Sequence, residues 1–221
     1  MLPAVNAATL PPPHALQVVC EDHRLLVLDK PDGLLCVPGR GPERADCLAA
    51  RVQARWPDAL VVHRLDMATS GLVLFGRGAV MQRRLSMLFE QRRIDKRYQA
   101  VVAGLVQGDS GEIDLPLLAD WAHRPRQQVQ RQLGKPALTR WQLISRDEAA
   151  STSRLWLEPL TGRTHQLRVH LAAIGHAILG DALYAPPPWA AVSPRLLLHA
   201  CTLGWDDALT GPQQFESAPP F

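Results

Sequence analysis

The segment His63-Arg64-Leu65-Asp66-Met67-Ala68-Thr69-Ser70-Gly71 lies between two apolar runs, at 59–62 and 72–75. Short apolar runs with turn residues at their ends are typical of buried β-strands. A polar segment held between two buried strands is rigid, and each of its polar groups needs a partner or a chemical role. We therefore start from this loop in predicting both the fold and the function.

Asp66 is the acidic residue of this loop. Arg64 lies two positions before it, and a nearby positive charge favours the ionised form of a carboxyl group. An ionised aspartate on a rigid loop can act as a nucleophile or as a base. The alternative is structural, with Asp66 capping the turn and pairing with Arg64. Both interpretations fit the loop taken by itself.

The remaining sequence predicts more strands than helices. Helices are predicted at 45–56, 81–89 and 164–174, where apolar residues recur on one helical face. The strands are often adjacent and do not alternate regularly with helices, which indicates an α+β fold with a mixed, largely antiparallel sheet and flanking helices. The predicted strands are 16–19, 25–28, 59–62, 72–75, 98–106, 127–132, 139–144, 154–157 and 196–203.

The composition is that of an ordinary folded chain, with 47% hydrophobic and 20% charged residues among 221. All of the 24 basic residues except Lys30, Lys96 and Lys135 are arginine. Arginine binds phosphate through two nitrogens and stacks on bases, although a GC-rich genome would also produce this bias. Residues 1–14 contain four prolines and almost no charge, which predicts an extended, mobile leader.

The cysteines and the apolar runs indicate the compartment. Cys20, Cys36, Cys47 and Cys201 form no C-x-x-C pair and share no spacing with histidine, which predicts neither a zinc site nor a disulfide framework. Scattered thiols fit a reducing cytoplasm. No apolar run approaches the roughly 18 residues of a membrane helix, and no secretory signal is recognisable. We expect a cytoplasmic protein with no membrane partner.

A basic segment runs from residue 121 to residue 146. It contains six basic residues and no acidic residue, interleaved with Trp121 and Trp141. Such a segment suits contact with RNA phosphates and stacking on bases. The alternative is a solvated strand face. The candidates for contact with the RNA backbone are Arg126, Arg131, Lys135 and Arg140.

The loop around Asp66 closely resembles the signature H-R-L-D-x-x-T-S-G of the RluA-type pseudouridine synthases, which is specific because it fixes the order of residues over nine positions. The resemblance implies that Asp66 is the catalytic residue. It also implies that Arg64, beside the aspartate, engages the RNA backbone or the space left by the target base.

The likeness extends from about Leu16 to Phe215. Lys30-Pro31-Asp32-Gly33-Leu34 resembles an early family motif, and Lys96-Arg97-Tyr98 resembles the motif whose tyrosine lies against the target base. The segment from Leu160 to His170 resembles the motif whose second arginine, here Arg168, pairs with the catalytic carboxylate. In the segment 195–200, the apolar residues that would line the uracil site include Leu197 and Leu198.

The family likeness implies a pseudouridine synthase fold with two lobes around an active-site cleft. We expect a single catalytic domain over 15–221, without a separate N-terminal RNA-binding module, and a monomer. The closest likeness is to a short family member that modifies both 23S ribosomal RNA and a transfer-RNA anticodon stem-loop, as in Val37-Pro38-Gly39-Arg40 and Gly134-Lys135-Pro136-Ala137. The expected reaction isomerises uridine to pseudouridine after the nucleotide is flipped out of its helix.

This chemistry predicts no cofactor and no metal, because the isomerisation neither oxidises the base nor imports a group. His165 and His170 are five positions apart, which favours hydrogen-bonding histidines over metal ligands. Two rival functions are a non-catalytic RNA chaperone or ribosome-assembly factor on the same scaffold, and a hydrolase that cuts the same bond. The hydrolase would normally need a second carboxylate, and no motif supplies one.

Overall fold

The computed structural model describes residues 15–221, and the predicted proline-rich leader lies outside this range. The described chain forms two compact units. Unit 1 contains the described residues up to Lys96 together with Ala200–Pro220, and unit 2 contains Arg97–His199 together with Phe221. The chain passes from unit 1 to unit 2 within one strand (Asp95–Ala103) and returns within another (Leu198–Asp207). The expected single domain over 15–221 stays a prediction.

Unit 1 is built on a sheet in the order β1-β2-β4-β11, with β3 paired to β4 and β12 paired to β11. The pairs β1/β2, β2/β4, β3/β4 and β11/β12 are antiparallel. Nearly every residue of β2 and β4 is buried, as expected for apolar runs in the middle of a sheet. The strands are β1 (Gln17–Glu21), β2 (Leu25–Lys30), β3 (Ala59–Val61), β4 (Ser70–Arg77), β11 (Leu198–Asp207) and β12 (Gly211–Glu216).

Two α-helices belong to unit 1. Helix α1 (Leu48–Arg55) begins after Cys47, whose Sγ accepts a hydrogen bond from the Ala50 amide at 3.3 Å. Helix α2 (Gly78–Glu90) buries Met81, Leu85 and Leu88, which lie one above another at helical spacing. These side chains pack on Leu25 and Leu72 of the sheet in one core cluster. The core therefore lies directly behind the strands that carry the Asp66 loop.

Unit 2 contains a second sheet segment in the order β5-β10-β9-β6 and a separate hairpin of β7 and β8. The pairs β5/β10, β10/β9, β9/β6 and β7/β8 are antiparallel. Helix α3 (Gln166–Ala173) buries every residue from Gln166 to Leu171. The strands are β5 (Asp95–Ala103), β6 (Ser110–Asp114), β7 (Leu117–Ala119), β8 (Gln127–Val129), β9 (Leu138–Asp147) and β10 (Thr152–Pro159).

The α+β class with a mostly antiparallel sheet and flanking helices is confirmed. The three predicted helices exist, with ends displaced by up to three residues. Among the residues described, the longest helix has 13 residues, and none is long and apolar enough to cross a bilayer. The prediction missed four short elements: β6, β7, β12 and a 3₁₀ turn at Pro42–Arg44.

Candidate active site

The Asp66 loop connects β3 to β4 in unit 1. Leu65 and Thr69 are buried, Asp66 is half-buried and Arg64 is exposed. The Thr69 amide donates to the Asp66 carbonyl at 3.1 Å, which closes a turn directly after the carboxylate. The loop therefore carries a half-buried Asp66 on a hydrogen-bonded turn between β3 and β4.

The buried side chain of Lys30 holds this turn through hydrogen bonds to its backbone. The side chain is fully buried, and its Nζ donates to the carbonyls of Pro31 at 2.7 Å, Leu34 at 2.9 Å and Met67 at 3.1 Å. Three carbonyls match the three donors of an ammonium group. One lysine thus joins the Lys30-Pro31-Asp32-Gly33 turn to the residue that follows Asp66. The motif by itself did not indicate this role for the lysine.

His63 fixes the other end of the loop. Its Nε2 accepts a hydrogen bond from the Leu74 amide at 3.0 Å, and its ring stacks on Phe89 at 4.4 Å between centroids. Burial, with a smaller contribution from the positive charge of Lys96, lowers the pKa of His63 to about 3. The imidazole is therefore neutral near pH 7, and it carries its proton on Nδ1 because Nε2 is an acceptor.

The structure shows why the signature ends in glycine, at Gly71. Its φ is +112°, and a Cβ at this position would lie 2.3 Å from the Ala200 carbonyl oxygen on β11. Both the backbone conformation and the close approach of the neighbouring strand exclude a side chain. The glycine therefore lets β4 start immediately after the Asp66 turn.

Arg168 forms a buried ion pair in unit 2. Its Nε donates to Asp181 Oδ2 at 2.8 Å and its Nη2 to Asp181 Oδ1 at 2.6 Å. The same Oδ1 accepts from the amides of Leu183 at 2.9 Å and Tyr184 at 3.2 Å. Arg168 is thus a buried residue of helix α3, and Asp181 holds both its guanidinium and the turn that follows Asp181. The expected pairing of Arg168 with Asp66 stays a prediction.

Tyr184 completes this cluster and was not among the residues predicted from the sequence. Its hydroxyl oxygen accepts from the Gln127 amide at 2.7 Å and forms a second hydrogen bond with His165 Nδ1 at 2.7 Å. The guanidinium carbons of Arg168 and Arg126 lie 5.2 Å and 5.4 Å from the centroid of its ring. These distances are within the range of cation–π attraction.

Tyr98 and the two predicted apolar residues lie on strands or beside them. Tyr98 is half-buried in β5 opposite Leu157 of β10. Leu198 is buried at the start of β11. Leu197 is half-buried, and its amide donates to the Leu179 carbonyl at 3.0 Å. Their positions within the sheet are defined, and their contact with uracil stays a prediction.

The predicted RNA-backbone residues have unequal surroundings. Arg131 and Lys135 are exposed beyond the β7/β8 hairpin. Arg126 is also exposed and lies over Tyr184. Arg140 pairs with Glu112 at 2.8 Å, so part of its charge is already compensated. The structure therefore brings only Arg126 of the four into the Arg168 cluster.

The two tryptophans of the basic segment also differ. Trp121 is 68% exposed and carries the Arg124 guanidinium 3.5 Å from the centroid of its ring. Trp141 packs on Gly111, where a Cβ would lie 2.8 Å from the indole. Of these two, Trp121 is therefore the one placed to stack on a base.

His170 has a structural role. Its Nδ1 lies 2.9 Å from Thr139 Oγ1 and its Nε2 lies 2.9 Å from the Leu115 carbonyl. The residue is fully buried, and burial lowers the pKa of its imidazole. Within 15–221, no group of three or more histidine, cysteine or acidic residues could hold a metal ion.

Comparison with known proteins identifies the family. Residues 24–173 match the RNA pseudouridylate synthase family. This chain belongs to that family. It is an RNA pseudouridine synthase, an isomerase of uridine in RNA, and its likeness to named RluA enzymes makes it RluA-type.

The dual-specificity RNA pseudouridine synthase RluA of Pasteurella multocida is 45% identical over 217 residues, covering 98% of this chain and 99% of that protein. The protein of the same name from Yersinia pestis is 50% identical over 183 residues, covering 83% and 88%. Among solved structures, human RNA pseudouridylate synthase domain containing 1 superimposes with a TM-score of 0.82 at 26% identity, covering 96% of this chain and 86% of that one. The likeness therefore extends over nearly the whole chain.

One part of the site could be found from the sequence, and another part could not. The signature loop that carries Asp66 was found from its residue order, and the structure explains why its ends are fixed. Asp181, Tyr184 and His165 were missed as a cluster because their pairing depends on contacts between separate segments. The available signal was the three-residue spacing of Asp181 and Tyr184, which suits an aspartate that accepts hydrogen bonds from the turn following it.

Proposed function

We propose that this chain isomerises uridines in both large-subunit ribosomal RNA, the 23S RNA, and the anticodon stem-loop of transfer RNA, with Asp66 as its catalytic residue. The observation that carries the substrate proposal is the 45–50% identity, over most of both chains, to relatives named as dual-specificity enzymes. Family membership favours an isomerase over a non-catalytic RNA chaperone on the same scaffold.

The proposed reaction balances within one nucleotide. The C1′–N1 bond breaks, a C1′–C5 bond forms on the same uracil, C5 loses its proton and N1 gains one. The target nucleotide must first leave the base stack, at a cost of a few kcal/mol. Uridines in loops need less of this energy. In this proposal Asp66 acts on the extruded nucleotide, as an ionised carboxylate on a rigid turn can.

The remaining site residues would position the base. We propose that Tyr98 stacks on the extruded uracil and that Arg168 pairs with the Asp66 carboxylate and orients it. Leu197 and Leu198 would exclude water, which keeps the detached uracil from escaping while it rotates. Arg64, which is exposed beside Asp66, would engage the RNA backbone or fill the space left by the base.

The hairpin region would bind the RNA outside the target base. Arg126, Arg131 and Lys135 are exposed and have the charge needed for phosphate contacts. Arg140 would contribute less, because Glu112 compensates its charge. Trp121 would stack on an unpaired base, since stacking on an exposed aromatic ring tolerates any sequence.

The decisive experiment replaces Asp66 by asparagine. We expect Asp66→Asn to fold, to bind RNA with unchanged affinity and to lower turnover by roughly 10³-fold or more, because the reacting carboxylate is lost. Turnover would be followed as tritium released from uracil C5 in transcripts of transfer RNA and of 23S RNA. Matched transcripts with the target uridine replaced by cytidine control for specificity.

Each outcome decides something. Activity of Asp66→Asn equal to the parent would overturn the catalytic assignment. Activity of the parent on only one of the two RNAs would overturn dual specificity. Free uracil in place of pseudouridine would favour the hydrolase.

We also propose that the protein is a cytoplasmic monomer. The four cysteines, all within the described residues, are free thiols, and three of them are buried. Such thiols persist in a reducing compartment. Light scattering during size-exclusion chromatography should give the mass of one chain, and a mass of two chains would contradict the monomer.

A further inference from the structure

We propose that Tyr184 is a positioning residue for the reaction, which sets the spacing between Arg168 and the RNA-binding side of the β7/β8 hairpin. The inference rests on the proposed function and extends it to a residue outside the motif set that carries the reaction. It depends on contacts made within unit 2.

Tyr184 is connected to Arg168 through the Asp181 carboxylate. The Asp181 carboxylate accepts two hydrogen bonds from the Arg168 guanidinium and two from the amides of Leu183 and Tyr184. Both side chains of the ion pair are almost inaccessible, at 5% and 0% exposed. A displacement of the Tyr184 backbone would therefore move the carboxylate that orients Arg168.

Tyr184 is also connected to the β7/β8 hairpin. The Tyr184 hydroxyl accepts from the Gln127 amide at 2.7 Å, at the first residue of β8. Arg126, the residue before β8, lies over the tyrosine ring. The phenol thus holds the start of a strand whose neighbouring arginine is a candidate for phosphate contact.

The aromatic ring of Tyr184 also attracts two arginines. The guanidinium carbons of Arg168 and Arg126 lie 5.2 Å and 5.4 Å from the centroid of the Tyr184 ring. The negative face of an aromatic ring attracts both cations. One Tyr184 ring therefore contacts both arginines. Under the proposed function, Arg168 pairs with the Asp66 carboxylate and Arg126 contacts the RNA backbone.

His165, which contacts the Tyr184 hydroxyl, has an unusual backbone conformation. It has φ 54° and ψ 19°, in the left-handed region that a residue with a side chain rarely adopts. In this conformation its Nδ1 lies 2.7 Å from the Tyr184 hydroxyl and its ring meets the tyrosine edge-on. Strain at a residue that contacts the phenol fits a requirement for accurate placement of that group.

The test separates the hydroxyl from the ring. Tyr184→Phe removes only the hydroxyl, and we expect KM for RNA to rise roughly 5- to 30-fold while kcat stays within about twofold, because the hydrogen bonds to the Gln127 amide at the start of β8 and to His165 are lost. Tyr184→Leu also removes the ring from Arg168, and we expect kcat to fall as well, by about tenfold or more. This division between KM and kcat would not follow from a general loss of stability.

Ser153→Ala is the matched control. Ser153 is a buried hydroxyl of unit 2 that accepts from the Val106 amide at 3.0 Å and donates to the Gly104 carbonyl at 2.9 Å. Like the Tyr184 hydroxyl, it accepts from one backbone amide and makes a second hydrogen bond, and neither of these contacts is with an arginine. We expect it to lower stability and to leave KM unchanged.

A second variant guards against misfolding of the first. Asparagine tolerates the left-handed region, so His165→Asn keeps the backbone and removes the imidazole, and KM should rise in the same direction as in Tyr184→Phe. The double variant should fall short of the product of the two effects, since both act through one hydrogen-bonded pair. Equal KM values for the parent, Tyr184→Phe and His165→Asn would overturn the inference, while an inactive parent would overturn the proposed function instead.

Discussion

The Asp66 loop of unit 1 and the Arg168 cluster of unit 2 are fixed by different kinds of contact. At the loop, side chains bind the backbone: Lys30 donates to carbonyls and His63 accepts from an amide. In the cluster, ionised side chains bind each other, and Arg168 and Asp181 form the central pair. The first arrangement fixes the path of the chain. The second fixes the positions of charges.

This contrast indicates where each region is sensitive. A backbone-directed contact leaves only dipoles without a partner when it is lost, whereas a buried ion pair leaves a whole charge. The cluster should therefore lose more stability than the loop for a comparable change. Three measurements of stability test this difference, from the largest expected loss to the smallest.

The largest effect is expected for Asp181→Asn. The change keeps the shape of the side chain and removes its charge, so the buried Arg168 guanidinium loses this carboxylate. We expect the free energy of unfolding to fall by about 3–5 kcal/mol. Urea denaturation followed by circular dichroism would measure it.

Glu112→Gln provides the control for Asp181→Asn. Glu112 pairs with Arg140 at a similar distance, but both side chains are about half exposed, at 54% and 52%. Exposed pairs contribute little to stability, because water screens their attraction. If the two variants lost equal stability, burial of the Arg168 pair would not be the cause of its importance.

Sequence alone predicted the loop better than the cluster, for a physical reason. The residues of the Asp66 loop are neighbours along the chain, so their order carries the information. Arg168 and Asp181 are 13 positions apart, and Tyr184 reaches Gln127 across 57 positions. Such contacts depend on how helices, turns and strands pack, which the pattern of one chain does not contain.

The fold shows the same limit. Apolar runs such as β2 and β4 were predicted because central strands are buried on both faces. Strand β12 was missed because only alternate residues are partly buried and it contains a proline and two glutamines. Strand β7 has three residues, which is too short for a periodic signal. Missed elements thus lie mainly at edges or in short hairpins.

The second prediction concerns pH and the loop. The pKa of His63 is about 3 in the folded protein and 6.5 in its ordinary state. Its contribution to stability is therefore fully present above pH 6.5 and is lost as pH falls toward 3, because the unfolded chain binds the proton first. Between pH 7.5 and pH 5 the free energy of unfolding should decrease by about 2 kcal/mol from this residue.

Comparison with His63→Phe isolates the histidine in that measurement. The variant keeps a ring against Phe89 and cannot titrate, so the difference between the two pH profiles belongs to His63. The pKa values of Asp46, Asp58 and Asp207 are lowered by hydrogen bonds from arginines, and these carboxylates stay ionised in this window. Parallel profiles for the parent and the variant would contradict a neutral, buried imidazole.

The smallest effect on stability is expected for Lys30→Met. Methionine has nearly the length of lysine without its charge, so the variant loses three hydrogen bonds but no longer buries an ammonium group. These terms oppose each other, and we expect a net loss of only about 1–2 kcal/mol. Turnover should fall more than stability, since the Met67 carbonyl next to Asp66 loses its anchor. A kcat decrease of about tenfold at unchanged KM for RNA would support this role, and a loss of stability as large as that of Asp181→Asn would show that the two regions are not held in different ways.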